Sequence, residues 1–187
     1  DEVMEKYQSD KPDIRKDKDD PDEFAFLWVV DFPMFERDEE TGKLNAMHHP
    51  FTAPDIEDIK ELDASDEELL KMKTRAYDLV LNGYEVGGGS IRISSAELQK
   101  RVLQALGVDD QDIQDRFGHL LEALTFSPPP HGGVAVGYDR LVAILAGEPN
   151  IREVMAFPKT GESKDLLMGS PSDLTDDQLK EVGLKKR

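Results

Sequence analysis

Asn82-Gly83-Tyr84-Glu85-Val86-Gly87-Gly88-Gly89-Ser90-Ile91-Arg92 is the stretch on which the reading of this chain turns. Asn-Gly is the strongest short hairpin signal, because a two-residue turn of this kind needs positive φ at both positions. The apolar run Ala76–Leu81 precedes it, so 76–81 and the residues after Gly83 should pair antiparallel. Three consecutive glycines weaken a strand, since they cost backbone entropy and pack nothing. They are tolerable where a ligand lies against the backbone, with Glu85 facing a metal or an amine and Arg92 facing a carboxylate or phosphate. The plainer alternative is a glycine-rich hairpin bearing two solvated charges.

The hairpin register makes a further statement. If Asn82-Gly83 is the loop, Val80 pairs with Glu85, and alternation puts Asp78 on their face. Two carboxylates then converge on one side of a sheet, an arrangement that suits Mg²⁺ held between protein and substrate phosphates. Asp78 as a solvated acid beside the turn is the alternative.

The rest of the chain reads as α+β, an antiparallel β-sheet flanked by helices. Phe24–Phe32, which holds the single tryptophan Trp28, is nearly continuous in apolar residues and reads as a central strand buried on both faces. Residues 44–51 return as an antiparallel strand that Pro50 ends or confines to an edge. Ser65-x-x-Glu68 and Ser94-x-x-Glu97 are capping boxes that start helices. A third helix from about Asp110 places Ile113, Phe117, Leu120, Leu121 and Leu124 on one face, and Pro128-Pro129-Pro130 breaks the chain after it. Gly133–Gly137 reads as a strand and Tyr138–Ala146 as a helix ending at Gly147. Residues 1–23 are dense in charge and read as a linker or surface segment, with order beginning at Phe24 and a single domain over 24–187.

Composition removes several function classes. With no cysteine, disulfides, thiolate metal sites and a cysteine nucleophile are excluded. No apolar run approaches the roughly 18 residues of a membrane helix. The N-terminus has neither the basic nor the apolar region of a signal peptide, so a cytoplasmic location is the default expectation. Position 1 is Asp rather than Met, which hints at a fragment. The net charge of −17 opposes a phosphate backbone, so this chain alone is expected to bind nucleic acid poorly.

Two more elements carry candidate chemistry. His48 and His49 are adjacent, so on a strand they face opposite sides, which leaves one ring for a ligand while the other packs below; the alternative is that both are structural histidines. The four histidines, at 48, 49, 119 and 131, show no zinc spacing. Gly137-Tyr138-Asp139-Arg140 joins a strand to a helix, and a helix N-terminus with an arginine in its first turn suits an anion or phosphate. Neither GxxxxGK nor GxGxxG is present, and a surface role for Arg140 is the alternative.

Taken together, Phe26–Glu36, Met47-His48-His49-Pro50-Phe51-Thr52, the 76–92 segment, the 133–141 segment and Ala156-Phe157-Pro158-Lys159-Thr160 resemble bacterial-type aspartyl-tRNA synthetases, a class II family. Tyr7 and Ser9-Asp10-Lys11-Pro12-Asp13 match a segment just upstream. The 133–141 stretch resembles the third class II signature motif.

The resemblance implies an aspartate–tRNA ligase that uses ATP and Mg²⁺. His48 and Arg92 would hold L-aspartate. Glu85, together with Asp78, would bind ATP and its Mg²⁺. Gly137, Tyr138, Asp139 and Arg140 would form the rest of the ATP site, and Glu85 and Arg140 would carry the catalytic duties. The tRNA partner and a homodimeric parent follow from the same resemblance. It also implies what is missing: the anticodon-binding barrel, the first two class II motifs and the domain usually inserted before Phe24. The chain alone is therefore expected to fall short of full activity. Tyr138 stands where the family usually has leucine. Two other readings stay open, a non-catalytic aspartate- or nucleotide-binding piece and a sibling synthetase for asparagine or lysine.

Overall fold

The computed structural model describes residues 2–185. They fall into two compact units that divide between Gly137 and Tyr138, and each is described by itself.

The first unit is built on the expected hairpin. Strands β4 (Ala76–Leu81) and β5 (Tyr84–Ile91) are joined by Asn82 at φ 52° and Gly83 at φ 85°, both in the left-handed region that a two-residue turn needs. Strands β1 (Phe26–Val30) and β6 (Gly132–Val136) complete an antiparallel sheet of order β1-β4-β5-β6. Strands β2 (Phe35–Arg37) and β3 (Leu44–Ala46) form a separate two-stranded ribbon.

Helix α3 (Ala96–Ala105) is followed by Gly107 at φ 76° and packs on α4 (Asp110–Thr125). The core gathers Met34, Phe35, Leu44, Ala53, Leu62, Leu69, Ile93 and Val102, so it sits where the ribbon, the 53–72 segment and α3 meet. Burying a side chain such as Phe35 stabilises by about 1.5–3 kcal/mol relative to exposure. Among these core elements is the short helix α2 (Asp66–Leu69), started by the Ser65/Glu68 capping box as expected. A 3₁₀ turn over Ile59–Asp63, capped by Asp58 and Glu61, precedes it.

The structure corrects four expectations. The 26–30 strand is not central: β1 lies at the edge of the sheet, and Phe26, Trp28 and Val30 are more than half exposed on one face. Its apolar run reflects one buried face (Val29) and one face of exposed apolar side chains, with Trp28 edge-on to Tyr77 at 5.8 Å. The 44–51 strand stops at Ala46, because Pro50 and the His49 contacts described below belong to a loop. The cap of α3 is Ser95 rather than Ser94, its hydroxyl accepting from the Leu98 N–H at 3.3 Å.

Regular structure also begins well before Phe24, with α1 (Glu2–Tyr7). The segment that follows is held by its own polar groups. The Glu23 carboxylate accepts from the N–H groups of Lys16 and Asp17, Asp13 pairs with Arg15 at 2.8 Å, and Asn82 ties the segment to the hairpin. The Asn82 amide donates to the Glu23 carbonyl at 2.9 Å, and its oxygen accepts from the Ala25 N–H at 2.9 Å.

The second unit contains α5 (Tyr138–Leu145), a 3₁₀ turn over Ile151–Glu153 capped by Asn150, and α6 (Asp176–Glu181) with a Thr175/Gln178 capping box. Ala143 and Leu179 are its buried apolar side chains. Among the described residues no helix is long and apolar enough to cross a membrane.

Candidate active site

The candidate site of the first unit lies on one face of the β4–β5 hairpin. Val80 pairs with Glu85 as the turn predicts, but Leu79 pairs with Gly87, so Val86 is an extra residue in β5. This bulge changes which side chains share a face. Past it, Gly88 lies opposite Asp78 and Ser90 opposite Ala76, and alternation carries the same face to Arg92. Asp78, Glu85 and Arg92 therefore share a face that an unbroken strand would have divided.

Burial first, and then the Glu85 charge, push the Asp78 carboxyl above its ordinary range. Two like charges held together in this way are suited to sharing a cation. Lys11 supplies part of the balance, its Nζ 3.7 Å from Glu85 Oε2. His48 acts on Asp78 in the same direction as Lys11, favouring the charged form. Two carboxylates and the oxygens of a substrate phosphate form the all-oxygen donor set that Mg²⁺ prefers, so the residues fit that ion. Among the described residues, no group of three or more His, Asp or Glu is placed to hold a metal unaided.

The three glycines have a reason the sequence did not show. A Cβ on Gly87 would stand 2.9 Å from the Ala135 carbonyl oxygen, and one on Gly89 would collide with the Gly133 carbonyl. Both glycines thus allow β6 its close approach. A Cβ on Gly88 would collide with Asp78 Oδ1, so Gly88 makes room for that carboxylate. Strand–strand approach and a protein carboxylate occupy the space that the sequence reading gave to a ligand.

The two histidines separate as their adjacency requires. His48 is exposed and stands edge-on to Phe32, with ring centroids 4.7 Å apart. His49 is half-buried and meets the Arg92 guanidinium: Nη1 contacts Nε2 and lies 3.2 Å from Nδ1. Burial, then the Arg92 charge, then His48 hold the His49 pKa below its ordinary value. The Arg92 backbone is fixed as well, its N–H donating to the His131 carbonyl at 2.9 Å and its strand bridging Thr52. Adjacency alone left open which histidine faces a ligand, and the family resemblance assigned His48 to aspartate beside Arg92; the histidine in contact with the Arg92 guanidinium is His49. The sequence reading named Lys11 for a motif match only and had no signal for the Val86 bulge.

Gly137 closes the first unit, its N–H donating to the Val86 carbonyl at 2.8 Å, so β6 ends on the bulged residue. In the second unit Tyr138, Asp139 and Arg140 form the first turn of α5 as expected, and all three are exposed.

The profile of the family described as tRNA synthetases class II (D, K and N) matches residues 1–161, and the chain belongs to that family. It is 51% identical over 175 residues to the aspartate–tRNA(Asp/Asn) ligase of Hydrogenobaculum sp. (strain Y04AAS1), covering 89% of this chain and 30% of the relative. It is 50% identical over 174 residues to the aspartate–tRNA ligase of Streptococcus pyogenes serotype M49, covering 92% of this chain and 29% of the relative. The chain thus spans about 30% of the length of the curated relatives it matches.

Solved structures agree on the fold. The aspartyl-tRNA synthetase of Entamoeba histolytica superposes with a TM-score of 0.54 at 24% identity, over 86% of this chain and 24% of that one. The asparaginyl-tRNA synthetase of the same organism gives 0.54 at 22% identity, over 75% of this chain and 26% of that one. The α+β class with an antiparallel sheet is that of these class II structures.

Proposed function

We propose that this chain is the C-terminal portion of the catalytic domain of an aspartate–tRNA ligase, which activates L-aspartate with ATP and transfers it to tRNA. The observation that carries the reading is the common face of Asp78, Glu85 and Arg92. Identity of about half to relatives named as aspartate–tRNA ligases supports it.

In this reading the aspartate side-chain carboxylate lies against Arg92, whose planar fork matches it with two parallel hydrogen bonds. His48, exposed beside the same face, contributes to the amino-acid site. Glu85 and Asp78 hold Mg²⁺, which neutralises charge on the ATP phosphates. Gly137, Tyr138, Asp139 and Arg140 complete the nucleotide site, with Arg140 against the adenine face and the γ-phosphate. The aspartate α-carboxylate attacks the α-phosphate in line and pyrophosphate leaves, so these residues contribute by positioning and neutralising charge rather than by covalent chemistry. A homodimer and the tRNA contacts belong to the whole protein in this reading.

Arg92 also speaks against asparagine as the substrate, although asparaginyl-tRNA synthetases share the fold. An amide would leave the guanidinium charge unpaired in a partly buried site, and sites of that kind reject the wrong analogue strongly. ATP–pyrophosphate exchange by the complete protein, with aspartate, asparagine and lysine in turn, tests the assignment. Exchange with aspartate alone is expected. Preference for either rival, or no exchange with any, would refute it.

A further inference from the structure

We propose that His49 is a positioning residue for Arg92: its neutral imidazole accepts a hydrogen bond from the guanidinium and so fixes the fork that reads the substrate carboxylate. The proposal rests on the assignment of Arg92 to the aspartate carboxylate.

The argument starts from donors and acceptors. A guanidinium has five N–H donors and no acceptor, so a ring nitrogen in contact with it must offer a lone pair. Neutral imidazole has one lone pair and imidazolium has none. Protonating His49 would therefore replace a hydrogen bond by the contact of two cations, and its pKa is held low in keeping with this. Arg92 and His48 are the charged and titratable groups acting on it.

The imidazole is itself held in place. The Phe51 N–H donates to Nδ1 at 3.2 Å, so the single lone pair of the neutral ring lies on Nδ1, and Arg92 Nη1, also 3.2 Å away, shares it. The Phe51 ring lies 5.9 Å from the imidazole, centroid to centroid. The Thr52 hydroxyl lies 3.4 Å from both ring nitrogens and donates to the Ser90 hydroxyl at 3.3 Å. Thr52 and Ser90 are each 1% exposed, so this support is a buried polar network beneath the ring. One donor of the fork spent on His49 leaves enough for bidentate contact with a carboxylate.

Two measurements test the proposal. The first follows the histidine Hε1 resonances of this chain against pH, with His49 assigned by its loss in His49→Gln. In the wild type His49 should titrate below the ordinary value of about 6.5, and in Arg92→Met it should move up. A His49 titration unmoved by Arg92→Met would overturn the proposal.

The second measures the aspartate KM of the complete protein by ATP–pyrophosphate exchange. His49→Leu, without an acceptor, should raise it about tenfold or more with little change in the ATP KM, as expected for losing a hydrogen bond to a charged group. His49→Gln, whose amide oxygen accepts, should recover most of that loss. The wild-type aspartate KM should rise as pH falls below about 6.5, and His49→Gln should remove that rise. Equal effects of Leu and Gln, or the same pH profile in wild type and His49→Gln, would mean that the ring serves only packing. Absence of aspartate-dependent exchange in the wild type would refute the aspartate assignment instead, and the resonance titration would still decide whether His49 engages Arg92.

Discussion

Glu85 and Arg92 stand on the same face of the sheet although they are an odd number of positions apart in sequence, because Val86 is an extra residue in β5. The bulge converts a strand whose two charges would face apart into one that offers an anionic and a cationic group to one volume. Asp78 joins them from β4 through its pairing with Gly88. This places the metal-binding and carboxylate-binding roles of the proposed site within one hairpin.

Glu85 and Arg140 are assigned different tasks on one ATP, and the tasks separate experimentally. In the complete protein, Glu85→Gln should shift the Mg²⁺ dependence of adenylate formation to higher concentration, because the amide is a poorer ligand for a hard cation. Arg140→Lys should weaken ATP and leave the Mg²⁺ curve nearly in place, since lysine keeps the charge but loses the fork and the stacking plane. Adenylate formation against Mg²⁺ at saturating aspartate reads both. Equal displacement of the curve by the two variants would show that the division of labour is wrong.

The glycine triplet predicts a contrast within the β5–β6 pairing. Gly89→Ala puts a methyl into the Gly133 carbonyl and should destabilise by about 1–3 kcal/mol, the range for steric overpacking. Gly133→Ala meets nothing within 4 Å and should be neutral or stabilising by up to about 1 kcal/mol through the unfolded chain. Urea unfolding of the two variants checks this, and comparable losses would mean that β5 and β6 do not approach as described.

Asn82 combines a left-handed backbone with two hydrogen bonds to the segment before β1. Asn82→Ala should cost about 1–3 kcal/mol, the sum of an unfavourable φ and lost hydrogen bonds. Asn82→Gly relieves the backbone but not the bonds, so it should recover only part. Limited proteolysis within residues 8–23 should accelerate in both variants. Unchanged cleavage would show that Asn82 does not hold that segment.

Much of this fold was legible because its signals are local. The Asn82-Gly83 turn, the β4 limits and the start of α4 follow from residues within a few positions of one another. The edge position of β1 was not, because an apolar run looks the same whether it has one strand neighbour or two. The bulge was not legible either: nothing in Glu85-Val86-Gly87 distinguishes a strand with an extra residue from one without. Composition read residues 8–23 as a linker or surface segment, and they carry no helix or strand; what composition could not show is that Asp13, Glu23 and their neighbours accept from backbone N–H groups there. The histidine pair shows the limit at the site. Adjacency said that the two rings diverge, and only the fold says that His49 is the one that meets Arg92.

The raised pKa of Asp78 has a defined consequence for stability. Burial and Glu85 raise the carboxyl above its unfolded value, so the folded state binds the proton more tightly. Charged Asp78 therefore costs stability at neutral pH, and the cost fades as pH falls through the raised value toward the ordinary one near 3.8. Asp78→Asn should stabilise the chain at pH 7 by about 0.2–0.5 kcal/mol, by relieving first the burial of the charge and then its repulsion from Glu85, and the gain should vanish toward pH 4. Thermal unfolding at the two pH values measures it. An equal gain at both would remove electrostatics as the cause.

The central claim, that Arg92 reads the aspartate carboxylate, is tested most directly by the amino-acid dependence of ATP–pyrophosphate exchange in the complete protein before and after Arg92→Leu. The wild type should use aspartate and discriminate strongly against asparagine. Arg92→Leu should lose about 3 kcal/mol or more of aspartate recognition, on the order of a hundredfold, with ATP binding nearly unchanged. An unchanged apparent aspartate affinity in Arg92→Leu, or a parallel loss of ATP and aspartate, would contradict it.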